Sequence, residues 1–299
     1  MVKRLKILSL ILALGAGMAV GVKVYKLSKN APTPAATGQE EKESTATKID
    51  VDKLRQEVLP SSGFKVKLPW KDMGRRLVAI GVIDRSKFDK LFADQKDLLQ
   101  YWERTDTEEI TINSQTAQFW VDALWALGLA NKSEVLDKGP MMTGGQAGNF
   151  ASTGGWTIGK KPAMTYYSKH VLIPLTIEQQ RRVREVADNI YRPCCGNSAA
   201  FPDCNHGMAA LAVVEMMVAQ GKGDDEIYDT VLKFNSFWFT QTYIDLAYYF
   251  QKHGTAWREV DPKLLLSRDY SSAGGYTKIR KEIGDVPELR SVGGGSCGA

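Results

Sequence analysis

Beyond residue 50 the apolar positions fall mostly at helical spacing. Leu77, Val78 and Ile80, and then Phe88, Leu91 and Phe92, recur at intervals that gather them on one face of a helix. The stretch 117–129 repeats the pattern with Phe119, Trp120, Leu124 and Leu127, and Gly81 and Gly128 read as punctuation near helix ends. Glu109-Ile110-Thr111-Ile112 fits a short strand or the lead-in to a helix. Thr176, with Gln179 three residues on, predicts a capped helix from Ile177 to about Ile190. Residues 208–219 are apolar nearly all round, which predicts a helix buried within a bundle. Glu215 is the exception there, sharing a face with Met208, Leu211, Ala212, Val218 and Ala219. Its expected role is pairing with an arginine, and the alternative is a buried carboxylate near the cysteines. Phe234, Phe237, Trp238, Phe239, Tyr243, Tyr248, Tyr249 and Phe250 form a dense aromatic set, expected to pack a core. These patterns predict a mainly α protein made of helical bundle domains.

The N-terminal pattern is different. Lys3, Arg4 and Lys6 precede an apolar run from Ile7 to Val22, which reads as an export signal. As a helix that run spans about 24 Å, short of a roughly 30 Å hydrocarbon core, although Lys23 can snorkel and Val24 and Tyr25 extend it. The expectation is one transmembrane anchor with the body on the extracytoplasmic side; a signal peptide cut near Gly17-Met18-Ala19 is the alternative. The membrane is then a partner through this helix. Residues 27–50 carry Pro32, Pro34, Gly38, Glu40, Glu41 and Glu43 with few large apolar side chains, as a solvated linker does. The expected organisation is a signal segment over 1–26, a linker over 27–50 and a helical domain over 51–138. A glycine-rich connecting segment over 139–175, a helical cysteine-bearing domain over 176–290 and a Gly/Cys tail over 291–299 follow. Within the glycine-rich segment, Gly159-Lys160-Lys161-Pro162 lacks the spacing and following helix of a phosphate loop. A long connection folded over a neighbouring site fits it better.

Composition narrows the function. With 299 residues, 43% hydrophobic and 24% charged, the chain has ample material for a core. The net charge of +5 is modest, and no dense basic stripe interleaved with aromatics is present, so nucleic acid is not an expected partner. Of the 4 cysteines, Cys194, Cys195 and Cys204 lie close together, which reads as a site and not as scattered staples.

Pro193 and Gly196 flank the adjacent cysteines and place them in a turn. Asp203 is the expected N-cap of the following helix, with Cys204 in its first turn, where the helix dipole favours a thiolate. A bridge between Cys194 and Cys195 closes a strained ring, so either one pairing with Cys204 is the easier disulfide, leaving one thiol free to exchange. Cys194, Cys195 and Cys204 with His206 therefore fit two chemistries. One is thiol–disulfide exchange on a thiol-containing protein substrate, which requires no cofactor. The other is non-catalytic binding of a soft metal ion, zinc or copper, or of a metal cofactor such as a haem-related group, by the same four residues. A structural component of a membrane complex, with one stabilising disulfide, is the third reading. Cys297 lies in a mobile glycine-rich tail and reads either as a shuttle thiol or as an incidental one.

Residues 183–239 resemble the helical domain of the thiol-oxidoreductase subunits of cytochrome c maturation, the CcmH/NrfF type. The resemblance rests on Arg192 ahead of the cysteine pair, Asp203 eleven residues after it, Asn205, and Gly221-Lys222-Gly223-Asp224-Asp225-Glu226-Ile227 leading into a further helix. It departs from the family in three respects. The family's Cys-x-x-Cys is replaced by adjacent cysteines, its serine by Cys204, and the second helix is about two residues shorter. The resemblance covers about a fifth of the chain. It implies a redox role for Cys194 and Cys195, with Cys204 as a resolving thiol, on the outer face of a membrane.

Overall fold

The structure, a computed structural model, describes residues 48–290. The expected export helix, nearly all of the linker, and the tail with Cys297 lie outside the described residues. Described helices α1 (Val51–Val58), α2 (Met73–Ile80), α3 (Arg85–Leu91), α4 (Lys96–Leu99), α5 (Ala117–Ala130), α6 (Glu134–Lys138) and α7 (Ala151–Gly154) make up the first part. They are followed by α8 (Ile177–Ala187), α9 (Asn205–Ala219), α10 (Asp224–Trp238), α11 (Thr240–Lys252), α12 (Pro262–Leu265), α13 (Arg268–Ser271) and α14 (Ala273–Ile283). The protein is mainly helical, as the periodicity predicts. No described helix is long and apolar enough to cross a membrane.

Two strands, β1 (Phe64–Val66) and β2 (Ile110–Ile112), pair antiparallel with Phe64 opposite Ile112 and Val66 opposite Ile110. The ambiguous Ile110-Thr111-Ile112 run is therefore a strand. Its two isoleucines point into the core, the alternation a half-buried strand requires.

Helices α5 and α9 are the buried centre. They pack along one another, with α8 and α10 against the remaining faces of α9. From His206 to Val218 every residue of α9 is buried, which explains why its sequence is apolar nearly all round. In α5 only Gln118 is not buried. One consequence is that segments 51–138 and 176–290 contribute their central helices to a single core. Gly128 shows how closely the two approach. It lies inside α5 and not at its end, and a Cβ there would stand 2.2 Å from the Met208 carbonyl oxygen. The expected punctuation role belongs to Gly81 alone, which ends α2 with φ 79.

Thr176 and Gln179 form the predicted capping box of α8, at 3.2 Å and 2.9 Å. The glycine-rich segment 139–175 packs onto the rest of the protein through side-chain anchors. Trp125 Nε1 donates to the Ser152 carbonyl at 2.7 Å, Trp156 Nε1 to the Val82 carbonyl at 3.2 Å, and the Tyr166 hydroxyl to the Gly81 carbonyl at 2.7 Å. It also reaches the cysteine region, since the Ser152 amide donates to the Asp203 carbonyl at 3.0 Å and Phe150 meets Phe201 edge to face. The C-terminal aromatics pack as expected, with Phe234, Phe237, Tyr243 and Phe250 buried.

Candidate functional site

Behind α8 the chain makes a tight excursion that presents the two adjacent cysteines. Tyr191 and Ser198 form an antiparallel bridge, and the Ala199 amide donates to the Ile190 carbonyl at 2.8 Å, closing the base of the loop. At its tip the Cys195 carbonyl accepts from the Ala273 amide at 2.9 Å, which ties it to the start of α14. Arg192 organises the interior. It is 1% exposed, and its guanidinium is shared among four acceptors. Nε donates to Cys204 Sγ at 3.0 Å, Nη1 to the Asn197 carbonyl at 3.1 Å, and Nη2 to the Phe201 carbonyl at 3.0 Å and to Asp203 Oδ1. The other oxygen of Asp203 accepts from Asn197 Nδ2 at 2.8 Å. The guanidinium can lie there because residue 207 is glycine: a Cβ on Gly207 would meet Arg192 Cζ at 2.4 Å.

The three thiols converge. The sulfurs of Cys194, Cys195 and Cys204 all lie within 4.8 Å of one another, and Cys194 Sγ is 3.5 Å from Cys204 Sγ. They differ in their neighbours. Cys204 Sγ receives the Arg192 Nε and the Gly207 amide, the latter at 3.4 Å. Cys195 Sγ faces acceptors instead, the Asn197 carbonyl at 3.9 Å and Asp203 Oδ1 at 3.8 Å.

Two sequence expectations change here. Cys204, not Asp203, is the N-cap of α9. Asp203 is unavailable because both of its oxygens are taken by Arg192 and Asn197, so the next side chain meets the helix's free amides. His206 lies beside Cys204 without facing all three sulfurs. Its ring is buried against Phe239, 4.5 Å between centroids, and Trp238, and its Nδ1 has no hydrogen-bond partner.

Of the three sulfurs, Cys204 is the one surrounded by donors and so the one placed to hold negative charge. Hydrogen bonds from Cys194 and Cys195 hold the Cys204 thiol well below its usual range. The Arg192 charge and, less strongly, His206 act in the same direction against the opposing effect of burial. The cap position adds the partial positive charge of the helix N-terminus. Cys194 is pushed up by its hydrogen bonds to Cys195 and Cys204 and by burial. For Cys195 the lowering effect of Cys194 is outweighed by Cys204 and burial, and it too is raised.

Glu215 lies eleven residues along α9 from Cys204, about 16 Å along the axis, and takes no part in the cluster. Its partner is Asn131 and not an arginine: Asn131 Nδ2 donates to Glu215 Oε2 at 2.9 Å. Asn131 Oδ1 in turn accepts from the amides of Leu172 and Ile173, so the carboxyl is joined to the end of the glycine-rich segment. With no cation beside it, burial pushes the Glu215 carboxyl from 4.5 up to about 8. Asp122, buried on α5, is raised to about 7 for the same reason. Above pH 4.5 the unfolded chain releases the Glu215 proton while the folded protein keeps it, so stability falls as pH rises from there to about 8. Each buried acid contributes about 1.4 kcal/mol per pH unit across its window. Urea unfolding at pH 5 and pH 8 measures this, and Glu215→Gln is expected to remove the larger part of the difference. An unchanged difference in that variant would show that Glu215 is ionised in the folded protein.

Asn197 and Gly207 are the site residues that sequence reasoning did not single out, and Arg192 entered it only through the family resemblance, as a fixed spacing from Asp203. Comparison with protein-family models, with curated proteins and with solved structures found no match for the chain.

Proposed function

We propose that Cys194, Cys195 and Cys204 form a thiolate centre for a soft metal ion, with Zn²⁺ or Cu⁺ as the class of ligand. The observation that carries this reading is the convergence of three sulfurs within 4.8 Å. A zinc ion sits about 2.3 Å from each thiolate, which places tetrahedral sulfurs about 3.8 Å apart. The present separations, 3.5 Å between Cys194 and Cys204 and none above 4.8 Å, bracket that value. A stabilising disulfide uses only two sulfurs and gives the third no reason to face the others. Soft thiolates select soft ions, and ligand sulfurs are commonly held by outer hydrogen bonds of the kind that Arg192 and Gly207 supply to Cys204. The buried guanidinium also opposes the negative charge that three thiolates around a divalent ion retain.

Thiol–disulfide exchange is the second reading, favoured by the 3.5 Å separation of Cys194 and Cys204. The resemblance over residues 183–239 belongs with it, as does the proposal that an N-terminal anchor holds the site on the extracytoplasmic side of a membrane. The partial burial of Cys204 beside Arg192 favours small partners over a folded protein substrate.

Titration of the reduced full-length protein with Zn²⁺, or with Co²⁺ to read thiolate charge-transfer absorption, tests the first reading. One equivalent should bind. Cys194→Ser, Cys195→Ser and Cys204→Ser should each weaken binding by more than the about 10–100-fold that follows loss of an outer partner. Cys297→Ser should bind as the parent does. Binding that survives Cys204→Ser unchanged would sink the proposal.

A further inference from the structure

We infer that the metal centre is redox-gated: oxidation by a small-molecule disulfide links Cys194 to Cys204 and releases the ion. This rests on the metal reading above and adds its regulation.

The pairing follows from the surroundings of each sulfur. Cys194 Sγ and Cys204 Sγ are 3.5 Å apart, so about 1.5 Å of approach closes a disulfide of about 2.0 Å. Cys194 and Cys195 are neighbours in the chain, and bonding them strains the ring they would close. Cys195 is further set apart because its sulfur faces two acceptors, Asp203 Oδ1 and the Asn197 carbonyl, an arrangement that suits an S–H donor. Cys204 faces two donors, Arg192 Nε and the Gly207 amide, which suit an anionic sulfur. The three thiols are therefore not equivalent: Cys204 is arranged to attack, Cys194 to resolve and Cys195 to remain reduced.

The step balances with a disulfide RSSR as the oxidant. The Cys204 thiolate attacks one sulfur of RSSR, forming Cys204–S–S–R and expelling one RS⁻. The Cys194 thiolate then attacks Cys204 Sγ, forming the Cys194–Cys204 bond and expelling the second RS⁻. Two thiolates have lost two electrons, RSSR has gained them, and no proton need be placed when both sulfurs start as metal ligands. The ion has lost two of its three thiolates and keeps only Cys195, too few to retain it. All three cysteines are part exposed, which admits a small disulfide.

The test uses the full-length Zn²⁺-loaded protein carrying Cys297→Ser, treated with oxidised glutathione. Released Zn²⁺ is followed with a colorimetric chelator, and the disulfide is located by mass spectrometry of a proteolytic digest. One ion should be released for each Cys194–Cys204 bond formed, and dithiothreitol should restore binding. Because Cys194 and Cys195 fall in one peptide, Cys195→Ser provides the second reading: it should still form the bond to Cys204, whereas Cys194→Ser should stop at the glutathione mixed disulfide. Zn²⁺ retained in a protein that has formed the bond, or a bond through Cys195, would overturn the gating while leaving the metal reading intact. A reduced protein that takes up no Zn²⁺ would overturn both.

Discussion

Replacing Arg192 with alanine is expected to lower the unfolding free energy by about 3–5 kcal/mol, the range for removing one partner of a buried ion pair. The cost has two origins. Asp203 loses its cation, and the carbonyls of Asn197 and Phe201 lose their donors in a place water reaches poorly. Arg192→Lys should recover only part of the loss, because a single ammonium cannot reach Cys204, Asp203 and two carbonyls from one point. Urea denaturation followed by far-ultraviolet circular dichroism measures the effect, and a change under about 0.5 kcal/mol, the size of an ordinary surface substitution, would refute the organising role. The same residue predicts an interaction with Gly207. Gly207→Ala should be strongly destabilising in the parent, where its Cβ meets the guanidinium at 2.4 Å, and far milder once Arg192 is alanine. Metal affinity should fall about 10–100-fold in Arg192→Ala, as it does when an outer-shell partner of a ligand is lost.

Gly128→Val is expected to be comparably damaging through packing alone. A Cβ at 128 stands 2.2 Å from the Met208 carbonyl oxygen and 3.1 Å from its carbonyl carbon, and these are backbone atoms that cannot turn aside. Helix α5 must move away from α9, at a cost of about 1–3 kcal/mol or more for forced separation of a packed core. Met208 is only four residues beyond Cys204, so the shift reaches the cap and its sulfur, and metal binding should weaken with stability. Gly274→Ala is the control, since a Cβ there meets nothing within 4 Å on the exposed face of α14, where alanine is a better helix former than glycine, and no loss of stability is expected. Equal effects of the two substitutions on the thermal midpoint would show that α5 and α9 do not meet at Gly128.

Local signals in the chain account for much of what the structure contains. The spacing of apolar residues marks α2, α3 and α5, although Leu91, which shares that spacing, is 61% exposed. The unbroken apolar run of 208–219 announces a helix buried on every side, and Thr176 with Gln179 marks where α8 begins. The convergence of Cys194, Cys195 and Cys204 was legible for a similar reason, because a turn bounded by Pro193 and Gly196 needs few residues to fold back on itself.

What the tertiary structure decided is which groups were left to pair with which. Periodicity tells that Glu215 is buried but not that Asn131, 84 residues away, is its partner. Cap preference ranks aspartate above cysteine, yet Asp203 is taken by a guanidinium that the fold draws inside, and the cap passes to Cys204. His206 packs its ring on Trp238 and Phe239, side chains more than thirty residues along the chain, and meets the cluster through Cys204 alone. Hydrogen-bonding groups compete for partners once the chain has closed, and the outcome of that competition depends on contacts between residues far apart, which no local pattern encodes.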